Sequence, residues 1–414
     1  MLPRTTDFLV IGGGIVGVTV AAELKHRHPR KRVTLIEKED APGRHASGRN
    51  SGVLHAGFYY AADSLKARFT RDGNRRLTEY CLGKRLRINR CGKLVVARNE
   101  AELSGLSELL RRGRQNGVEL HEIGLEEAQA IEPRVRTHER ALWSPTTATV
   151  DPGEVLHALV EDARVAGVEI HTGARFCAVR GRTIVTSRGA LAPGYVINAA
   201  GLYADRVAHA FGFARHYRIL PFKGLYLYSE EPPGALRTNI YPVPDLGNPF
   251  LGVHFTVGVD GRGKIGPTAI PAFWREHYRG LHGFRPAEFV EIVWRELTLL
   301  VRNDFRFREL AWEELRKYRR RRLVALAAEL ADGVRQDQFR RWGRPGIRAQ
   351  LLDIVERRLE FDFRYEGDGW SLHVLNAVSP AFTCALPFAA HLADEIERRL
   401  GGAGHDSVNR GMGV

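Results

Sequence analysis

The chain opens on an unbroken apolar run, Phe8, Leu9, Val10 and Ile11, which ends in a glycine cluster at Gly12, Gly13, Gly14 and Gly17. Beyond the cluster, apolar residues recur at the three-to-four spacing of a helix before a second β-branched stretch begins. This pattern predicts a strand from Asp7 to Ile11, a helix from Ile15 to about His28, and a strand from Arg32 to Glu37. Together they make a βαβ unit. The small and polar stretch from Ala41 to Gly52 reads as a loop lying close to a ligand, because it has glycines where a packed element would have side chains.

From Leu65 to Arg114 two helices are predicted around a short strand pair at Gly92 to Ala97, and Leu125 to Ile131 reads as a helix that Pro133 stops. Asp151 and Pro152 suit an N-cap and first helical position, where proline's missing N–H costs nothing. Val168 to Thr172 and Tyr195 to Ala199 read as strands able to rejoin the first sheet. Between Phe222 and Thr268 the period shortens, and Leu225 to Tyr228, Ile240 to Val243, Leu251 to Phe255 and Lys264 to Gly266 read as short strands of a second, antiparallel lobe. About Pro286 to Glu329 is helical and basic; Ser371 to Leu375 and Pro380 to about Leu400 close the chain as strand and helix.

Length and charge sharpen this picture. A chain of 414 residues suits about two lobes. Its formal charge of +14 favours anionic partners: nucleotide phosphates, acidic metabolites or an anionic membrane face. Much of the excess lies between Arg302 and Arg348, including Arg316, Lys317 and Arg319 to Arg322, and reads either as a solvated helix face or as a docking patch. The stretch carries no aromatic-interleaved recognition motif, so no nucleic-acid partner is expected. Cys81, Cys91, Cys177 and Cys384 are widely spaced without clustered histidines, so neither a disulfide framework nor a metal is expected, and a reducing, cytoplasmic setting is. A peripheral position on the inner membrane face is the second reading. The run from Phe8 to Ala22 is broken by glycines and shorter than the roughly 20 residues of a spanning helix.

The chemistry begins at Gly12-x-Gly14-x-x-Gly17, set between strand and helix, with Glu37 closing the next strand. Gly12 permits the tight turn, Gly14 lets the backbone approach a pyrophosphate, Gly17 allows close helix–sheet contact, and Glu37 accepts from ribose hydroxyls. The carboxylate repels a 2′-phosphate, which leaves FAD and NAD. His55, between small residues, is a candidate base for a hydroxyl proton or else a packed histidine. Lys223, Tyr226, Tyr241, His254 and Lys264 are candidate carboxylate contacts or else exposed positions of an alternating sheet.

Phe8 to Gly17 with Leu35-Ile36-Glu37-Lys38, then Asn50 to Tyr60, resemble the D-amino-acid-oxidase-like flavoenzymes, and within them the L-2-hydroxyglutarate oxidase/dehydrogenase branch. The likeness continues through Cys91-Gly92-Lys93, Asn198 to Gly201, Pro249 to His254, Gly266 to Ala269, Arg348-Ala349-Gln350 and Asn376 to Pro380. Leu225 stands where the family often carries a glutamate, and Leu351 to Arg364 is longer and more charged than the family's turn.

This resemblance implies an α/β fold: a Rossmann-like FAD-binding domain (1–85, 150–215, 345–402), an interleaved α+β substrate domain on an antiparallel sheet (86–149, 216–344), and a flexible tail (403–414). It implies FAD as cofactor, touched by Gly12, Gly14, Gly17, Glu37, Lys38, Ser47, Asn50, Ser51, Gly201, Arg348 and Ser379, with His55 beside the isoalloxazine and the substrate hydroxyl. The expected reaction is oxidation of a dicarboxylate, L-2-hydroxyglutarate, to 2-oxoglutarate, with oxygen or a quinone as electron acceptor. The alternatives are an amine-oxidising or glycerol-3-phosphate-oxidising relative, and a flavin-bearing protein docked on a membrane or RNA.

Overall fold

The computed structural model describes residues 2–245 and 251–401, and the chain divides into two compact units. The tail expected at 403–414, and Pro249 and Phe250 of the motif ending at His254, lie outside the described residues.

The first unit draws on Met1–Asn50, Pro152–Leu220 and Arg348–Val414. Its centre is a parallel sheet in the order Ser371–Asn376, Gly189–Asn198, Thr5–Ile11, Val33–Ile36, Glu169–His171. Leu9, Val10, Val33 and Leu35 are wholly buried, as strands covered on both faces require, which is why they read as continuous apolar runs. The helix Ile15–Arg27 packs against Ala385–Gly401 and Pro152–Val165. Lys25, His26 and Arg27 in its last turn complement the helix dipole. Each fully buried leucine here contributes about 1.5–3 kcal/mol by leaving water, so Leu35→Ala should cost about 2–5 kcal/mol.

One expectation differs in this unit. The last helix begins at Ala385, not Pro380, the preceding residues forming turns. In the charged stretch after Gln350, the strand Gly346–Asp353 folds back on Arg358–Leu359, pairing Leu352 with Leu359. Leu351, Leu352 and Leu359 are buried, while Val355 stands exposed in the turn between the two strands.

The second unit, Ser51–Asp151 and Pro221–Ile347, is built on a twisted sheet in the order Arg341–Trp342, Leu227–Tyr228, Gly263–Gly266, His254–Val257, Asn239–Pro242, Lys93–Val96, Arg140–Ser144, His121–Gly124. It is antiparallel except where Asn239–Pro242 runs parallel to Lys93–Val96, so the expected strand pair around Gly92 has long-range partners instead of a hairpin. Side chains alternate across it. Leu94, Ile240, Phe255 and Ile265 face one core, which the helix Arg320–Ala328 covers through Leu323, Val324 and Ala327. The registers Ile240↔Phe255 and Phe255↔Ile265 then put Lys93, Tyr241, His254 and Lys264 together on the opposite face.

Candidate active site

In the first unit the glycine turn is held by contacts no larger residue would permit. Gly12 has φ +113°, and a Cβ there would lie 2.4 Å from the Ala199 carbonyl oxygen; one on Gly17 would lie 1.9 Å from the Gly12 oxygen. The turn therefore lets a ligand approach the backbone at the start of the helix, where a helix N-terminus favours a phosphate. Glu37 is buried, and its two carboxylate oxygens accept from the Gly13 N–H (2.6 Å) and the Glu39 N–H (2.9 Å), so it braces the turn and retains lone pairs for a ribose.

Ser47 is already engaged: its hydroxyl accepts the Ile15 N–H at 2.9 Å, tying the small-residue loop to the helix start. Gly14 sits beside it, with a Cβ position 3.1 Å from the Ser47 Oγ. The Asn50 amide donates to the Ser47 carbonyl at 2.8 Å. Lys38 pairs with Glu39 and lies 5.5 Å over the Tyr203 ring. Gly201, at φ +53°, opens the turn Gly201–Tyr203 with nothing within 4 Å of its Cβ position. Arg348 donates to the Gln350 side chain at 3.0 Å, and Ser379 is exposed in the turn ahead of the last helix. Glycines without room for a Cβ at the start of a helix and a buried acid fit a dinucleotide.

In the second unit the sheet face opposite the core carries the charge. Tyr241 and His254 stack with ring centroids 3.7 Å apart. His254 Nδ1 donates to the Gly252 carbonyl at 2.8 Å, leaving Nε2 as the lone-pair nitrogen. Lys264 donates to the Ser51 carbonyl at 2.9 Å and lies over the Tyr226 ring at 5.1 Å. Ser51, expected at the flavin, here engages Lys264. His55 follows the strand Val53–Leu54 and is 7% exposed. These positions are buried, so the alternative of exposed polar positions on a sheet fails for Tyr241, His254 and Lys264. Lys223 lies half-buried on Tyr217–Gly224, where its charge acts on His277.

Burial sets the ionisation. Desolvation first, then the charge of Lys93, drives His55 down to about 3; the same burial takes His254 to about 3. Both imidazoles are neutral at pH 7. Lys264 and Lys223 are lowered to about 8 by desolvation, and Tyr226 and Tyr241 are raised by it.

Lys93 was legible only as part of a motif. Its side chain is wholly buried, and its ammonium sits 4.4–4.8 Å from the ring centroids of Phe58, Tyr59 and Tyr241. Neither Lys93 Nζ nor the Tyr59 hydroxyl has a hydrogen-bond partner among the described residues. Desolvation lowers Lys93 to about 7. No local pattern marks such a residue, because residues 58, 59, 93 and 241 meet only through tertiary folding.

The parallel sheet, glycine turn and buried acid define a dinucleotide-binding oxidoreductase. The family described as FAD dependent oxidoreductase matches residues 7–394, and the chain belongs to it; FAD is its cofactor. The chain is 36% identical over 422 residues to the L-2-hydroxyglutarate dehydrogenase, mitochondrial, of Bos taurus, covering 95% of this chain and 89% of that one. It is 32% identical to the L-2-hydroxyglutarate dehydrogenase of Escherichia coli K12, covering 95% and 94%. Among solved structures, an L-α-glycerophosphate oxidase from Mycoplasma pneumoniae with FAD bound superposes with TM-score 0.74 at 22% identity, covering 98% of this chain and 97% of that one. Glycine oxidase from Geobacillus kaustophilus gives TM-score 0.73 at 19%, covering 99% and 100%. At these identities the two structures establish the α/β fold.

Proposed function

We propose that this protein oxidises a 2-hydroxy acid, L-2-hydroxyglutarate, to 2-oxoglutarate. The observation that carries the reading is the buried face of the second unit, where two neutral imidazoles, His55 and His254, sit beside two lysines, Lys93 and Lys264. The names of the relatives support the same substrate. FAD, when bound, supplies the acceptor for the hydride that leaves C2.

The roles of the chain's residues follow from their environments. His55, kept unprotonated by burial and by Lys93, accepts the hydroxyl proton as C2–H is lost. His254, its tautomer fixed by Gly252, presents Nε2 as a second acceptor. Lys93 and Lys264 balance the substrate's carboxylates, and Tyr226 and Tyr241 supply phenols and apolar walls. Lys223 contributes long-range positive charge. In the first unit, Gly12, Gly14 and Gly17 admit the pyrophosphate, Glu37 takes the ribose, and Lys38, Ser47, Asn50, Gly201, Arg348 and Ser379 line the rest of the cofactor's course.

The first unit is thus proposed to hold FAD and the second the hydroxy acid. Oxygen and quinone are both proposed acceptors, and a peripheral membrane contact favours quinone. Product analysis tests the substrate: 2-oxoglutarate formed from the L-enantiomer alone supports it, whereas ammonia, formaldehyde or a triose phosphate from the corresponding amine or glycerol phosphate replaces it.

A further inference from the structure

The helix Pro286–Arg302 carries two apolar stripes. The inner one, Ile292 and Leu299, is buried together with Glu288 and Glu296. The outer one comprises Val290, Trp294, Leu297 and Val301 at spacings of four, three and four, so it forms a continuous line along the helix. Val290 is 65% exposed, Trp294 71% and Val301 73%. A helix that meets only water on its outer side carries polar residues there. The next helix, Phe307–Lys317, repeats the feature with Trp312 and Leu315 exposed and Tyr318 following.

The charge around these residues is one-sided. Nine basic and four acidic residues lie between positions 302 and 322. Two of the acids, Glu313 and Glu314, are taken up by the buried Lys317 at 2.9 and 2.6 Å. Arg302, Arg306, Arg308, Arg316, Arg320 and Arg321 remain exposed. Exposed tryptophan, tyrosine and aliphatic residues bordered by arginine match a bilayer interface, where apolar groups enter the acyl boundary and cations meet lipid phosphates. A second copy of the chain is a poor fit, since it would bring two arginine-rich rims together. No helix among the described residues is long and apolar enough to cross a membrane, so this face would lie on one.

We propose that the outer face of helix Pro286–Arg302, with Trp312, Leu315 and Tyr318 after it, docks this protein on an anionic lipid bilayer. Trp294 and Val301 enter the headgroup region and the arginines from Arg302 to Arg322 hold the phosphates. The docking is independent of which hydroxy acid is oxidised.

The test is co-sedimentation of the FAD-loaded protein with phosphatidylcholine vesicles containing or lacking phosphatidylglycerol, at low and high salt. Wild type is expected to pellet with the anionic vesicles at low salt. The Trp294→Glu/Val301→Glu and the Arg320→Glu/Arg321→Glu/Arg322→Glu variants should each bind about tenfold or more weakly. Reduction of a soluble dye should be unchanged, because none of these residues belongs to the catalytic site. Three results overturn the proposal: wild type stays in the supernatant at low salt, the Trp294/Val301 variant pellets like wild type, or wild type is a dimer that this variant converts to monomer.

Discussion

Lowering the pH from 7 to 5 should destabilise the protein through its buried histidines. His55 and His254 in the second unit and His373 in the first are each lowered to about 3, chiefly by desolvation. His373 shows what holds such a ring neutral: Nδ1 accepts from the Asn198 amide at 3.2 Å, and Nε2 donates to Ser371 at 3.0 Å. An unfolded histidine takes up a proton near pH 6.5, so below that value the unfolded chain binds more protons than the folded one, and stability falls with pH until the folded value near 3 is reached. At pH 5 each such histidine costs about 2 kcal/mol. Glu296, pushed up to about 8 by burial, acts in the opposite sense: it is protonated when folded and ionised when unfolded, and it offsets about one histidine over the same interval. From these four groups the net loss is about 3–4 kcal/mol, a large part of a typical stability. Urea unfolding followed by tryptophan fluorescence at the two pH values measures it. His373→Gln should lose about 2 kcal/mol less than wild type on acidification. Equal stability at pH 7 and 5, or equal losses in wild type and variant, would refute the buried-neutral assignment.

His55→Ala should slow flavin reduction by about 10²–10⁴-fold, and stopped-flow reduction at the wild-type rate would remove His55 as the base. Lys93→Met should raise KM for the dicarboxylate about tenfold or more while leaving thermal stability equal or higher, because it removes a desolvated charge that lacks a hydrogen-bond partner among the described residues; a lower Tm with unchanged KM would make Lys93 structural. Gly17→Ala should abolish FAD retention and cost about 1–3 kcal/mol or more, since its Cβ would lie 1.9 Å from the Gly12 oxygen. A Gly17→Ala protein that purifies with a full complement of flavin would contradict that reading.

Local signals carried the cofactor side of the molecule further than the substrate side. The glycine fingerprint works within some thirty residues, and a strand, a turn and a helix fix it without help from elsewhere. The substrate face depends instead on register. Alternation left Tyr241, His254 and Lys264 either as carboxylate contacts or as exposed positions of a sheet, because an alternating strand does not say which face meets water, and here both are covered. Lys93 showed in the sequence only as the end of the Cys91-Gly92-Lys93 motif. Helical spacing was equally indifferent on Pro286–Arg302, where Ile292 and Leu299 or Trp294 and Val301 satisfy the same period, and only tertiary packing selects the inner stripe. Ser47 looked like a ligand contact by its place in a small-residue loop, while its hydroxyl caps the Ile15 amide.

The central claim is that FAD and a 2-hydroxy dicarboxylate react on this chain, and anaerobic mixing of the FAD-loaded protein with L-2-hydroxyglutarate tests it most directly. The account predicts rapid bleaching of the flavin absorbance by the L-enantiomer and none by the D-enantiomer, glycine or sarcosine. Flavin that stays oxidised with L-2-hydroxyglutarate but bleaches with an amine or with glycerol 3-phosphate would contradict it.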